Sequence, residues 1–395
     1  MAFFATARPS KAFAAPRTTD RQSTGQPLSA CPPEARPAIP NSSSSMADTQ
    51  DAAAAAAADT ATTKTFVVGT RKSPLAMAQA EIVVASLQAL LPDHTFPIHG
   101  MTTTGDRDQN TALYNFGGKG LWTSQLEDKL AARELDLVVH SLKDMPTTLP
   151  EGCALGAVTR REDARDVLVV KRAHVDAHGW RSLADLPPGS VIGTSSVRRI
   201  AQLARRYPSL RFKDVRGNLQ TRLEKLRTDD DMAAIVLAAA GLQRIGLGHH
   251  ISQFLDTDSG GIMHAVGQGA LGVECRAGDD RVLNMLRALE DPDTALACAT
   301  ERSLMRTLEG GCSVPIGVET SWVDGGGASK KLLRLRATVV SADGKQGVDA
   351  EVMEAVGSID AAEELGKRVA LDLVSRGADK ILDVINAKRP LEKAA

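Results

Sequence analysis

The sequence predicts an α/β protein: two α/β units followed by a smaller α+β unit. Three observations carry that prediction. Short apolar runs alternate with stretches of helical periodicity from residue 66 to residue 237, the pattern of strands in a largely parallel sheet with helices on its faces. After Asp291-Pro292 the texture changes to one helix, three strands joined by Gly-rich turns, and a closing helix. The chain has 395 residues, enough for two or three domains with cores of their own.

The first 63 residues stand apart. They are rich in Ala, Ser, Thr and Pro, and residues 1–45 hold Arg8, Lys11, Arg17, Arg21 and Arg36 against Asp20 and Glu34. Ser42 to Ser45 and the alanine run 52–58 follow. This reads as an organelle transit peptide and an unordered linker, with a plastid as the expected destination and a mitochondrion as the alternative. A tail with no address, and a second start at Met46, remain open.

Order is expected from Thr65. Residues 66–69 read as a short buried strand, Ser73-Pro74 as a helix N-cap with proline at the first helical position, and 75–91 as a helix. Further strands are expected at 135–139, 166–170, 190–193, 211–215 and 234–237, with helices at 123–133, 197–207 and 219–227. The last unit reads as a helix at 294–308, strands at 316–322, 332–340 and 347–354, and a closing helix at 359–387. Segment 102–120 is polar, bears glycines and lacks periodicity, which suits a lid or binding loop. No solenoid-type repeat is present.

Composition excludes several classes. Apolar residues make up 43% and charged residues 24%, ordinary for a soluble protein, while aromatics at 3% leave the cores to Leu, Val, Ile and Ala. A net charge of −1 suits neither nucleic acid nor an anionic membrane, so any anion binding must come from local basic clusters. Cys31, Cys153, Cys275, Cys298 and Cys312 form no CxxC pair and no metal-ligand spacing with the histidines. A reduced compartment and no metal are expected. No apolar stretch is long enough to span a bilayer.

Basic residues cluster where helices begin after strands. Arg71 and Ser73 follow the first strand, Thr194-Ser195-Ser196-Val197-Arg198-Arg199 another, and Arg216-Gly217-Asn218 with Thr221-Arg222 a third. Helix starts offer free N–H groups and a positive dipole end, and guanidinium forks grip carboxylates in two-point fashion. Three such sites at strand ends suggest a ligand with many anionic groups. Capping serines and surface arginines in ordinary ion pairs are the plain alternative. His140-Ser141-Leu142-Lys143-Asp144-Met145-Pro146 follows the strand at 135–139, and Lys143 could hold Asp144 ionised, although taken alone a solvated turn ending at Pro146 is the preferred reading. In Glu309-Gly310-Gly311-Cys312-Ser313-Val314-Pro315, two glycines let the backbone bring a sulfur close to something large. A small buried cysteine in a tight turn is the alternative there.

Together these segments resemble the hydroxymethylbilane synthase (porphobilinogen deaminase) family. The resemblance is carried, in the family's order, by Gly69-Thr70-Arg71-Lys72-Ser73-Pro74-Leu75-Ala76, Gly117-Gly118-Lys119-Gly120-Leu121, His140 to Pro146, Gly193 to Arg199, Val215-Arg216-Gly217-Asn218 with Thr221-Arg222, Ala265-Val266-Gly267-Gln268-Gly269-Ala270, and Gly310 to Pro315. It spans residues 65–390. It implies two periplasmic-binding-protein-like α/β domains with the active cleft between them, and a small C-terminal α+β domain. By the same analogy, domain 1 takes residues 64–160 and 264–288, domain 2 takes 161–263, and domain 3 takes 289–395.

The resemblance further implies that Cys312 holds a dipyrromethane cofactor through a thioether. Four porphobilinogens are joined head to tail on that cofactor, and water releases hydroxymethylbilane with four ammonia. Each porphobilinogen brings an acetate and a propionate, which explains the arginines. The matching cofactor-binding positions are Ser141, Lys143, Asp144, Thr194, Ser195, Ser196, Arg198, Arg199, Asn218 and Arg222. The matching substrate positions are Arg71, Ser73, Gln79, Lys119, Trp122, Arg216, Arg222, Arg244 and Gln268. Asp144 is implied as the catalytic group that protonates the departing amine, stabilises the azafulvenium cation and accepts the pyrrole proton. With a reference pKa of about 3.9 it needs tuning by its site.

Two positions depart from the family. Trp122 stands where phenylalanine is usual and can also stack on a pyrrole ring or a cation; Asn115 stands where many members have lysine. A non-catalytic two-lobed anion-binding or solute-binding protein would share the lobes and helix-start sites but would need neither Cys312 nor Asp144. A nucleic-acid binder fits poorly with the charge and the few aromatics, and His249-His250 alone makes a poor metal site. A monomer is expected.

Overall fold

The computed structural model describes residues 65–107, 122–308, 314–325 and 331–387. The 1–63 leader, most of the 102–120 loop with Asn115 and Lys119, and the Gly310-Gly311-Cys312 turn lie outside the described residues. Among the described residues the strands, in chain order, are β1 (Val68–Arg71), β2 (Ile98–Met101), β3 (Leu137–Ser141), β4 (Cys153–Val158), β5 (Asp166–Val170), β6 (Val191–Gly193), β7 (Arg211–Lys213), β8 (Met232–Ala238), β9 (Gln253–Leu255), β10 (Leu271–Arg276), β11 (Ile316–Asp324), β12 (Lys331–Val340) and β13 (Gly347–Glu354).

They form three sheets, ordered β2-β1-β3-β10-β4, β7-β6-β8-β5-β9 and β11-β12-β13. The two five-stranded sheets follow one plan, the two-lobed α/β arrangement with a smaller third unit. In each, three parallel strands come first, and then β10 or β5 runs antiparallel to its neighbours on both sides. The sheets are therefore mixed, where the sequence reading expected them largely parallel. The reason is connectivity. Residues 159–165 and 256–270 carry the chain from one sheet to the other, so β5 and β10 each enter their sheet from the neighbouring lobe and not by a helical crossover within it.

Side-chain caps start the helices after the parallel strands. Ser73 Oγ accepts from the Ala76 N–H at 3.3 Å and Pro74 opens the helix Pro74–Leu90. Ser196 caps Val197–Arg206 and Asn218 caps Leu219–Thr228. Each satisfies an otherwise orphaned N–H of the first turn. The cores are largely aliphatic. Val83 and Leu87 of the first helix pack with Leu137, Val139 and Val273, while Leu168, Ile192 and Leu203 pack in the second lobe. Leu304, Val318, Leu335, Leu365 and Leu373 centre the third.

Several boundaries differ from expectation. The strand expected at 135–139 is Leu137–Ser141, because the Asp136 carboxylate accepts the Val67 N–H at 2.8 Å and holds 136 outside the ladder. The helix expected at 123–133 stops at Ala131, and Arg133 turns to φ +60°. The strand at 211–215 ends at Lys213, since Val215 is held by the Ser195 hydroxyl instead. The single closing helix is two, Ile359–Ser375 and Ala378–Asn386, broken at Gly377 with φ +99°. β2, β4, β9, β10 and the helices Arg172–His178, Ala239–Arg244 and Asp280–Leu286 were not anticipated. The third unit docks on the second lobe. Asp349 accepts from Arg205 at 2.9 and 2.8 Å, and a Cβ on Gly344 would meet the Arg205 nitrogen at 2.4 Å.

Candidate active site

A cleft of about 600 Å³ opens between the two five-stranded sheets, lined by residues at or just beyond the carboxyl ends of β1, β3, β7 and β8. That is where α/β sheets bind ligands. Among the described residues seven cationic side chains line it, Arg71, Lys72, Lys143, Arg199, Arg216, Arg222 and Arg244, against two carboxylates, Asp106 and Asp144. The balance selects an acidic ligand.

On the first-lobe wall, Arg71 ends β1. Its Nε donates to Asp106 at 3.2 Å and its second arm is ion-paired to the same carboxylate. Its guanidinium carbon lies 4.1 Å from the Trp122 ring centroid. Burial would raise the Asp106 pKa, but the Arg71 pair and the Thr103 N–H and hydroxyl at 3.1 and 2.8 Å outweigh it and hold the acid below the usual carboxylate range. A Cβ on Gly105 would meet the Trp122 ring at 2.4 Å, so glycine there makes room for the indole. Trp122, expected to stack on a pyrrole ring or a cation, has the Arg71 cation over its ring in this structure. Ser73 lines the cleft while capping its helix, and Gln79 and Ser141 bond to each other at 2.9 Å.

On the floor, β3 ends in the 3-10 turn Leu142–Asp144, closed by the Met145 N–H on the Leu142 carbonyl at 3.2 Å. Asp144 is half-buried, lines the cleft and makes no hydrogen bond to any other described residue. Burial pushes Lys143 down to about 8, with Arg199 and Arg198 adding to the shift and Asp144 and Asp166 opposing it. Its ammonium lies 3.4 Å from Gln268 Oε1. The Gln268 amide in turn donates to Asp166 at 2.9 Å and to the Ala164 carbonyl at 2.7 Å.

Asp166, fully buried at the start of β5, organises the second lobe. It accepts from Arg198 at 2.7 Å and from Arg199 at 2.6 Å. Burial would raise its pKa, but the two guanidinium groups win and hold it far below the usual range. Arg198 also donates to the Met263 carbonyl at 2.6 Å and does not line the cleft; Arg199 does, and its Nε has no partner among the described residues. Thr194, Ser195 and Ser196 are not among the lining residues either. Thr194 accepts the Ser196 N–H at 3.2 Å and the Ser195 hydroxyl donates to the Val215 carbonyl at 2.8 Å.

Arg216, Asn218 and Arg222 complete that wall. Gly217, at φ +109°, turns the chain so that its carbonyl receives Arg222 Nε at 2.7 Å. Burial lowers Arg222 to about 10, aided by Arg199 and Arg216 and opposed by Asp144 and Asp214, so it stays charged at neutral pH. Arg244 donates to the Gly269 carbonyl at 2.7 Å and its buried Nε has no partner among the described residues. The cleft thus gathers Arg71, Ser73, Gln79, Trp122, Ser141, Lys143, Asp144, Arg199, Arg216, Asn218, Arg222, Arg244 and Gln268. It leaves Thr194, Ser195, Ser196 and Arg198 behind its wall, and Lys119 and Cys312 lie outside the described residues. Lys72, Asp106 and Asp166 were not foreseen. The acid in Thr103-Thr104-Gly105-Asp106 and the charge-dense run 160–166 were the available signals.

Comparison with known proteins gives a consistent result. Residues 66–284 match the family model described as porphobilinogen deaminase, dipyromethane cofactor binding domain, and residues 295–375 match porphobilinogen deaminase, C-terminal domain. A Neurospora crassa porphobilinogen deaminase is 52% identical over 82% of this chain and 95% of its own length. The Synechococcus elongatus protein of that name is 48% identical over 81% and 95%, and the Saccharomyces cerevisiae one 46% identical over 82% and 98%.

Proposed function

The chain belongs to the porphobilinogen deaminase family, and from that membership we infer that the cleft carries the stepwise deaminating polymerisation of four porphobilinogens, with Asp144 as its catalytic group. It is a transferase of tetrapyrrole biosynthesis that works on a dipyrromethane cofactor. The observation that carries the assignment is the pairing pattern of the two lining carboxylates. Asp106 is held by Arg71, whereas Asp144 has no hydrogen-bond partner among the described residues and stands among cations.

The residues fit an acidic pyrrole chain. The Nε atoms of Arg199 and Arg244 are buried and have no partner among the described residues, a state that a ligand carboxylate relieves. When bound through Cys312, the cofactor would supply the pyrrole carbon that takes the first substrate, and the ring added last would take each one after it. Arg71, Ser73, Arg216 and Arg244 hold the side-chain acids of porphobilinogen, and Arg199, Arg222, Lys143 and Asn218 those of the growing chain. Arg198, Thr194, Ser195 and Ser196 act from behind the wall, by fixing Asp166 and the start of the helix Val197–Arg206. Asp144 faces the aminomethyl group. Its negative charge stabilises the cation left when ammonia departs and the carbon–nitrogen bond breaks. After the carbon–carbon bond forms, the same carboxylate takes the proton lost from the α-carbon of the attacking pyrrole. Lys119 and Gln268 serve substrate binding, the enzyme acts as a monomer, and the composition of residues 1–63 supports a removable address, plastid before mitochondrion.

Intact mass of the mature protein from its natural source tests the reading. A pyrrole adduct on the Cys312 peptide, extended stepwise by porphobilinogen, is expected, together with an amino terminus near residue 64. A bare thiol in fully active enzyme overturns the chemistry, and an intact leader overturns the address.

Lys143 gives a pH signature. A ligand carboxylate beside it favours the protonated form, so binding must restore a proton once pH passes its value of about 8. Adduct formation by cofactor-free protein is therefore expected to weaken by up to about tenfold per pH unit above that point, while Lys143→Arg gives a flatter profile. Equal profiles for the two proteins would remove Lys143 from the cofactor's shell.

A further inference from the structure

Three side chains of the helix Pro292–Thr307 reach out of the third unit and hold both backbone segments that build the cleft floor. Arg302, only 7% exposed, donates to the Pro146 carbonyl at 2.6 Å and lies 3.5 Å from the Met145 carbonyl. One turn on, Arg306 donates to the Thr147 carbonyl at 3.2 Å. Glu301 accepts the Gly267 N–H at 2.8 Å and pairs with Arg161 at 2.7 and 3.0 Å. Arg161 Nε then donates to the Gln268 carbonyl at 2.7 Å. The turn that presents Asp144 and the loop that presents Gln268 are both fastened to one helix, which ends five residues before Cys312.

We infer that Arg302 is a positioning residue for the reaction: it fixes the turn that presents Asp144 to the cleft. This rests on the functional reading above. The turn is held from both sides. Before Asp144, the Leu142 N–H donates to the Ala270 carbonyl at 3.0 Å; after it, the next two carbonyls face one guanidinium. A planar fork spans two successive carbonyls, and a lysine ammonium reaches one well. Asp144 is the acid–base group, so an error in its placing falls on the chemical step rather than on substrate capture.

The test uses Arg302→Gln and Arg302→Lys holoenzymes, with Arg205→Gln as a control that cuts the exposed pair to Asp349. In Arg302→Gln, kcat is expected to fall by about ten- to a hundredfold, the effect of a small misplacement of catalytic groups. KM should change less than threefold and the mass adduct should remain. Arg302→Lys should recover part of kcat, and Arg205→Gln should lower Tm while leaving kcat unchanged. If Arg302→Gln does not fold, Arg302→Lys carries the test alone. Normal kcat below the variant's Tm, or a change confined to KM, overturns the proposal. So does loss of the adduct from the variant alone, because the helix would then serve cofactor attachment. An adduct absent from the wild type as well strikes instead at the functional reading.

Discussion

Asp144→Asn is expected to lower kcat by about a hundred- to ten-thousandfold, the usual worth of a positioned acid–base group, while the protein keeps its adduct at Cys312. Asparagine has nearly the same shape, and no hydrogen bond to a described residue is lost, because Asp144 makes none. Folding should therefore be undisturbed and Tm should stay within about 2 °C. What disappears is the negative charge facing the substrate cation and the base that removes the ring proton. Single-turnover measurements with porphobilinogen should show slow ammonia release and accumulation of the earliest adduct. Turnover near the wild-type rate would remove Asp144 from the chemistry and return attention to Asp106, the other carboxylate of the cleft.

The second large effect concerns stability. Asp166→Ala strips the counter-charge from Arg198 and Arg199, 5% and 6% exposed, and from the Gln268 amide. Breaking a buried pair by removing one partner costs about 3–5 kcal/mol, and here one carboxylate serves two guanidinium groups. A drop in Tm on the order of 10 °C is expected for a domain of this size. Since Asp166 owes its depressed pKa to those arginines, its contribution is present above the ordinary carboxylate pKa and fades only in strong acid. Wild type and variant should converge there. The cofactor's own acids can replace part of the lost charge at Arg199, so the cofactor-free variant should suffer more than the loaded one. Calorimetry of both forms at pH 7 checks this, and a shift below 2 °C would mean that the arginines are neutralised elsewhere.

The sequence made much of the site legible because its residues sit at strand-to-helix junctions. Ser73-Pro74, Ser196 and Asn218 are capping signals as well as site signals, so the three helix starts could be placed and the arginines beside them followed. The buried second layer stayed hidden. Asp166 opens an apolar strand and looks like a surface acid until β5 is set against the helix Val197–Arg206. Arg302 lies on a helix whose periodicity says nothing of the turn it touches. β10 was missed because Glu274 interrupts its apolar run, and only the structure supplies the partner, His140 at 2.9 Å, that makes the burial tolerable. Trp122 was expected to face a pyrrole or a cation, and the structure supplies which cation it is, Arg71.

The place of β10 has a consequence during synthesis. It lies between β3 and β4, yet it is made after the whole second sheet, 130 residues beyond Ser141. At ribosomal speeds of about 5–20 residues per second, the edge of Leu137–Val139 waits on the order of ten seconds for its partner. During that wait it is an open apolar template of the kind that recruits other chains. The amino-terminal lobe, although translated first, cannot be the first to mature. The second lobe, whose strands are contiguous in sequence, should close ahead of it, and nascent-chain release before residue 276 should yield material that aggregates rather than a smaller working lobe.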